Sequence, residues 1–276
     1  MKRTLPGQPW PRIFLYSLPF LTPAWLTATW LAPAWAAPPK VPEPPTWQGP
    51  ATLSVWGIKP EDALVRARLA APAQATGLRV QVRALDAEQP LGSFTQPLDQ
   101  PLRLRGLPAG TWAIEAATVA GAQSSRWSDP LVIEVQALGD GVLTVPQGAE
   151  PGLAVGAPCT VDGQPFLHPA PGDHSVTCGG QPARVQVVPI TATWSGPAPR
   201  GTPINAQITL SPGPLPALVD LVVGGQAWPL RVTPRGLEGR VILPAGLERA
   251  TLRDPDVPTG PPLAEVALPA APGGAQ

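Results

Sequence analysis

The sequence is poor in the residues that usually carry chemistry. Its 276 residues include two histidines, two cysteines, one tyrosine and one methionine, and only 14% are charged. Two histidines leave little room for a metal or triad site. The nucleophile elbow G-x-S-x-G, the zinc motif H-E-x-x-H, a phosphate-binding glycine loop and the redox pair C-x-x-C are all missing. Nineteen basic residues balance nineteen acidic ones, so there is none of the basic excess of a dedicated nucleic-acid binder. The sequence implies no cofactor and no catalytic residue.

Other residues are abundant. Forty-two prolines and 28 glycines make up about a quarter of the chain, a level at which disorder becomes a serious reading. A solvated disordered chain, however, combines low hydrophobicity with high charge, and here 43% of residues are hydrophobic. The prolines fall between short apolar runs, where they stop strands and protect edges.

Residues 1–36 have the pattern of a secretory signal. Lys2, Arg3 and Arg12 form a basic start, Ile13 to Leu31 is apolar, and Ala34-Trp35-Ala36 is an A-x-A cleavage site. The alternative is a retained anchor, because the apolar stretch is long enough to cross much of a bilayer. Pro19, Pro23 and Pro33 interrupt a continuous helix there. No later apolar span occurs, so no membrane span is expected after cleavage. Cleavage leaves sixteen basic against nineteen acidic residues, a net charge of −3. The expected location is the secreted fraction, periplasm or cell envelope.

After a proline-rich linker at 37–45 the apolar period becomes two. Leu53 and Val55, Val65 to Leu69, Leu78 to Val82, Leu102 and Leu104, Trp112 to Ala116 and Leu131 to Val135 all alternate with polar or small residues. Six or seven such runs within about 90 residues predict a β-sandwich over 46–137. Residues 61–69 read as a turn and then a strand, with a short helix as the alternative. A small β unit is expected over 138–189, and renewed alternation predicts a second sandwich-like domain over 190–269. Gly224-Gly225 is a hairpin turn within that domain, and 270–276 is a tail. The fold class is therefore all-β: tandem sandwiches with a small disulfide-closed unit between them.

The segment Leu104-Arg-Gly-Leu-Pro-Ala-Gly-Thr-Trp112-Ala-Ile-Glu-Ala-Ala-Thr-Val119 resembles the E–F corner and F strand of fibronectin type III domains, with Trp112 where that family has Tyr. Ser125-Arg-Trp-Ser-Asp-Pro130 resembles the lead-in to the last strand. The resemblance covers about 46–137 and implies an immunoglobulin-like sandwich; the family's Trp on the second strand is absent, with Leu69 near its place. In the middle unit, Val161-Asp-Gly-Gln-Pro and Pro171-Gly-Asp-His-Ser-Val176 are similar to PEGA-like surface modules.

Cys159 and Cys178 are the only cysteines. In an exported chain they are expected to form a disulfide. The alternative is a metal site with His168 and His174, which lie between them, but C-x8-H-x5-H-x3-C matches no standard zinc spacing. The acidic pairs Glu61-Asp62 and Asp254-Pro-Asp256 sit among turn residues and read as solvated carboxylates. Arg66, Arg68, Arg103 and Arg105 are spaced two apart on strands that the fibronectin-like resemblance makes neighbours. They would share an outer face suited to carboxylate, sulfate or phosphate groups; alternatively, they are ordinary exposed strand positions. The expected function is a non-catalytic envelope or secreted binding or structural module, with a protein or acidic polysaccharide partner at the cell surface. The alternatives are part of an exported hydrolase, or a subunit that docks by adding a strand to an exposed edge.

Overall fold

The computed structural model describes residues 41–149, 153, 159–166, 170–211 and 217–270. The expected signal segment, the first part of the proline-rich linker, His168 and most of the tail lie outside the described residues. The described chain is all-β apart from one 3-10 turn at Pro60–Asp62. That turn leads into the strands Val65–Ala67 and Leu69–Ala70, so the turn-then-strand reading of 61–69 holds.

The N-terminal sandwich follows from the period-two pattern. On one side, Thr46–Trp47 pairs with Leu69–Ala70, and Val65–Ala67 pairs with Leu102–Leu104. On the other side, Thr52–Gly57, Leu131–Ala137, Gly110–Ala120, Gly77–Ala84 and Gly92–Gln96 lie in that order. This is a fibronectin type III-like arrangement, with one addition. The first strand changes sheets at Gly49-Pro50 and then runs parallel to Leu131–Ala137. The Trp47 indole N–H fixes the crossing by donating to the Asp129 carbonyl at 3.0 Å.

Leu78, Val80, Val82, Ile114, Leu131, Ile133 and Val135 point into one shared core. Each such buried side chain contributes about 1.5–3 kcal/mol through removal from water. At the E–F corner the Trp112 indole N–H donates to the Pro108 carbonyl at 2.9 Å. It makes the backward bond that a corner tyrosine hydroxyl makes in immunoglobulin-like sandwiches.

The middle sheet places Val142–Pro146 parallel to Gln181–Val188, followed by Gly172–Cys178, Thr160–Val161 and Gln164–Pro165. Asp162 and Gly163, both with positive φ, close a two-residue hairpin between the last two short strands, as expected of the Val-Asp-Gly turn.

The C-terminal sheet has seven strands, running from Thr191–Ser195 to Ala264–Ala267, and its two end strands pack against each other around one core. Gly224-Gly225 forms the expected hairpin. The strand Gln226–Thr233 changes partner along its length. Gln226 to Leu230 pair with Val219–Val223, whereas Arg231 to Thr233 pair with the start of Gly236–Ile242. Pro229, which has no N–H to donate, precedes the change.

Three hydrophobic clusters, within 63–135, 138–187 and 190–268, are joined in one compact body from Val41 onward. The Ile58 N–H donates to Leu153 O at 3.1 Å, linking the first unit to the second. Gly148 (φ +80°) lies so close to the third that an added Cβ would meet Pro261 O at 2.6 Å. The third contact, between the two sandwiches, is the candidate site.

Candidate functional site

Arg66 and Arg103 stand directly opposite each other on the paired strands Val65–Ala67 and Leu102–Leu104. Their side chains leave the sandwich on the face away from its core, as the alternation requires. The face is only partly open. The C-terminal domain covers it with the loop that follows the strand Arg249–Arg253. Arg66 forks onto Asp254: Nη1 donates to Oδ2 at 2.9 Å and Nη2 donates to Oδ1. Its Nε lies 2.7 Å from Asp256 Oδ2, and Arg103 Nη2 donates to Asp256 Oδ1. Arg68 Nη1 reaches Asp220 Oδ1 at 3.0 Å. Arg105 turns back to donate to the Asp62 carbonyl within its own module.

This corrects two expectations. The arginine face is partly covered by carboxylates of the same chain: Arg66 is buried, whereas the Arg103 side chain is 46% exposed. Asp254 and Asp256 are not solvated turn residues: Asp254 is 1% exposed and Arg66 6%. Asp254 also accepts the Asp256 N–H at 2.9 Å, which folds the two carboxylates into a fixed pair. The hydrogen bond to Asp256, with the charges of Asp256 and Asp254, holds the Arg103 guanidinium above its ordinary pKa against the opposing effect of burial. Burying charges is costly unless each is paired with good geometry, and here the bidentate fork supplies that geometry. Alternation shows which way a side chain leaves its own sheet but carries no information about a second module packed there. Arg253-Asp254-Pro-Asp256, with two carboxylates at the same spacing as the arginine pairs, was the available signal.

A second cluster lies on the outer face of the larger N-terminal sheet. Glu115 accepts from Gln81 Nε2 at 2.8 Å and from Arg83 Nε and Nη2, each at 3.3 Å. Burial acts to raise the Glu115 pKa, but the hydrogen bonds from Arg83 and Gln81 and the Arg83 charge prevail and lower it. The ionised form is therefore favoured by folding. Its stabilisation is complete above the ordinary Glu pKa and is lost as pH falls through the lowered folded value. Acid unfolding of a Glu115→Gln variant should accordingly show a shallower loss of stability below about pH 4.3 than wild type. Parallel curves would contradict this assignment. On the same face the Arg79 guanidinium sits 5.7 Å from the Trp127 ring centre, a cation–π distance.

Cys159 and Cys178 form a disulfide, with Cα atoms 4.2 Å apart. Both thiols are thereby committed, which overturns the metal alternative built on them. His174 Nε2 lies 2.8 Å from the Ala170 carbonyl, and its ring meets Phe166 edge-on at 5.3 Å. Among the described residues no group of three or more His, Cys, Asp or Glu is placed to hold a metal ion.

An open groove of about 520 Å3 lies against the C-terminal sheet. Asn205, Gln207, Arg231, Glu238 and Arg240 of the C-terminal sheet line it, and Gln48 of the N-terminal sandwich forms one wall. The sequence reading did not single out these residues. They belong to three paired strands, with Asn205 opposite Arg240 and Glu238 between Gln207 and Arg231.

No family model matches the chain, and no curated protein matches it. Among solved structures it is similar to the fibronectin(III)-like modules of Clostridium thermocellum CbhA, with 12% identity over 81% of this chain and 93% of that one, at a TM-score of 0.24. It is also similar to the BSP domain of a biofilm associated protein, at 10% identity and a TM-score of 0.26, covering 83% of this chain but 30% of that one. A third likeness is to the FN1–FN3 domains of chicken CNTN1, at 9% identity and a TM-score of 0.27, covering 84% and 69%. The fibronectin-like assignment of the N-terminal module rests on its own strand pairing.

Proposed function

We propose that the chain is an exported, non-catalytic module of the cell envelope or secreted fraction, built to hold two β-sandwiches in one fixed relation before a polysaccharide or protein partner. One observation carries the reading: the clasp of buried Arg66 and partly exposed Arg103 with Asp254 and Asp256. It commits to architecture the paired carboxylates that could otherwise serve as general acid and base. The disulfide supports an oxidising compartment, and the signal-like segment supports export. The hydrolase alternative loses support at His174, which meets a phenyl ring and a backbone carbonyl rather than a carboxylate and a hydroxyl. Docking by strand addition keeps one supporting feature, the edge strand Gly92–Gln96, which contains neither proline nor charge and so lacks the usual edge protection.

The test is co-sedimentation of the purified chain with washed bacterial envelopes, alongside assays for released sugar and peptide. Binding without product release is expected. Steady product release by the purified chain would contradict the reading.

A further inference from the structure

We infer that the groove between the two sandwiches is a binding site for a uronate-bearing polysaccharide, with Arg231 and Arg240 as its carboxylate-recognising residues. The inference rests on the binding-module reading above and adds the site and the ligand chemistry.

Most arginines near the clasp are engaged inside the protein. Arg66, Arg68, Arg83 and Arg103 are paired with carboxylates, Arg105 and Arg200 bond to backbone carbonyls, and Arg79 lies against Trp127. Arg231 and Arg240 are different. Both are exposed, both line the same groove, and neither has an ion pair or side-chain hydrogen bond among the described residues. Glu238 stands opposite Arg231 in the strand register, yet the two form no ion pair. The groove thus carries two guanidinium groups against one carboxylate, in a chain whose expected exported form is net negative.

The groove is built by the fold. The strand Gln226–Thr233 pairs with Gly236–Ile242 only from Arg231 onward, its earlier residues pairing with Val219–Val223 instead. Gly239 keeps the floor close: a Cβ there would meet Leu230 Cδ2 at 2.6 Å and Pro229 O at 3.0 Å. Asn205 lies opposite Arg240 and Gln207 opposite Glu238 across the next strand, and Gln48 approaches from the other sandwich. Three side-chain amides that both donate and accept suit the hydroxyls of a sugar chain, and guanidinium forks suit the carboxylates spaced along it. An open groove at a domain boundary is a common place for a ligand, and an open one admits a polymer that runs through.

The experiment titrates the full chain with polygalacturonate, with neutral dextran and with polyglutamate. Arg231→Gln and Arg240→Gln are compared with Arg235→Gln, an exposed arginine outside the groove that removes the same charge. Polygalacturonate should bind, dextran should not, and each groove substitution should weaken binding about tenfold while Arg235→Gln leaves it unchanged. All three sites are exposed, so unfolding midpoints should match wild type. No binding of polygalacturonate, or equal weakening by Arg235→Gln, would overturn the site. Polyglutamate binding with the same dependence on Arg231 and Arg240 would overturn the polysaccharide assignment in favour of an acidic protein. Envelope co-sedimentation that persists in the groove variants would refute this site while leaving the binding-module reading intact.

Discussion

Replacing Asp254 with alanine should cost about 3–5 kcal/mol of stability, among the largest effects of any single side chain in the protein. The carboxylate is 1% exposed and accepts both Nη atoms of Arg66, itself 6% exposed. Removing it leaves a guanidinium charge that is buried and short of its main partner. The same substitution removes the acceptor for the Asp256 N–H and so loosens the second carboxylate, which holds Arg103. Denaturant unfolding measures the cost, and limited proteolysis should show new cleavage between the sandwiches. The partly exposed Arg249–Glu265 pair, at 77% and 61% side-chain exposure, is the internal comparison. Its disruption should be hard to detect, as surface pairs contribute about 0–1 kcal/mol. Equal effects at the two positions would mean that the clasp is solvated.

Reducing the disulfide should destabilise the middle unit by about 2–4 kcal/mol. The cross-link joins positions 19 apart, and the unit's core contains few residues besides the two cysteines, among them Val176, Val185 and Val187. A core of that size supplies little margin of its own. Hydrogen exchange after reduction should therefore speed up across 142–146 and 172–188, while the sandwich strands keep their protection. Free thiols in exported protein before any reductant is added would contradict the bond.

Much of the architecture was legible because strand physics is local. Leu78, Val80 and Val82 alternate with Arg79, Gln81 and Arg83, and the buried and outward sets separate accordingly. Gly224-Gly225 and Asp162-Gly163 announced their hairpins through the positive φ those turns need. The cysteine pairing followed from the expected compartment and from being the only pair in the sequence. What stayed hidden depends on contacts between modules. Arg66 and Arg103 were placed on adjacent strands of one sheet, as the structure has them, but their partners lie 188 and 153 positions away. No periodicity reaches across that separation. The groove was hidden for a related reason: Asn205 meets Arg240, and Gln207 and Arg231 flank Glu238, only through the pairing of three strands far apart in sequence.

The most direct test of the clasp is a double-mutant cycle on Arg66 and Asp254, followed by denaturant unfolding. Two side chains in a buried bidentate contact should show a coupling energy of about 1–3 kcal/mol, with the double variant Arg66→Ala/Asp254→Ala far less destabilised than the sum of the singles. Additivity within about 0.5 kcal/mol would mean that the two residues do not touch, and that the sandwiches are not held together by this pair.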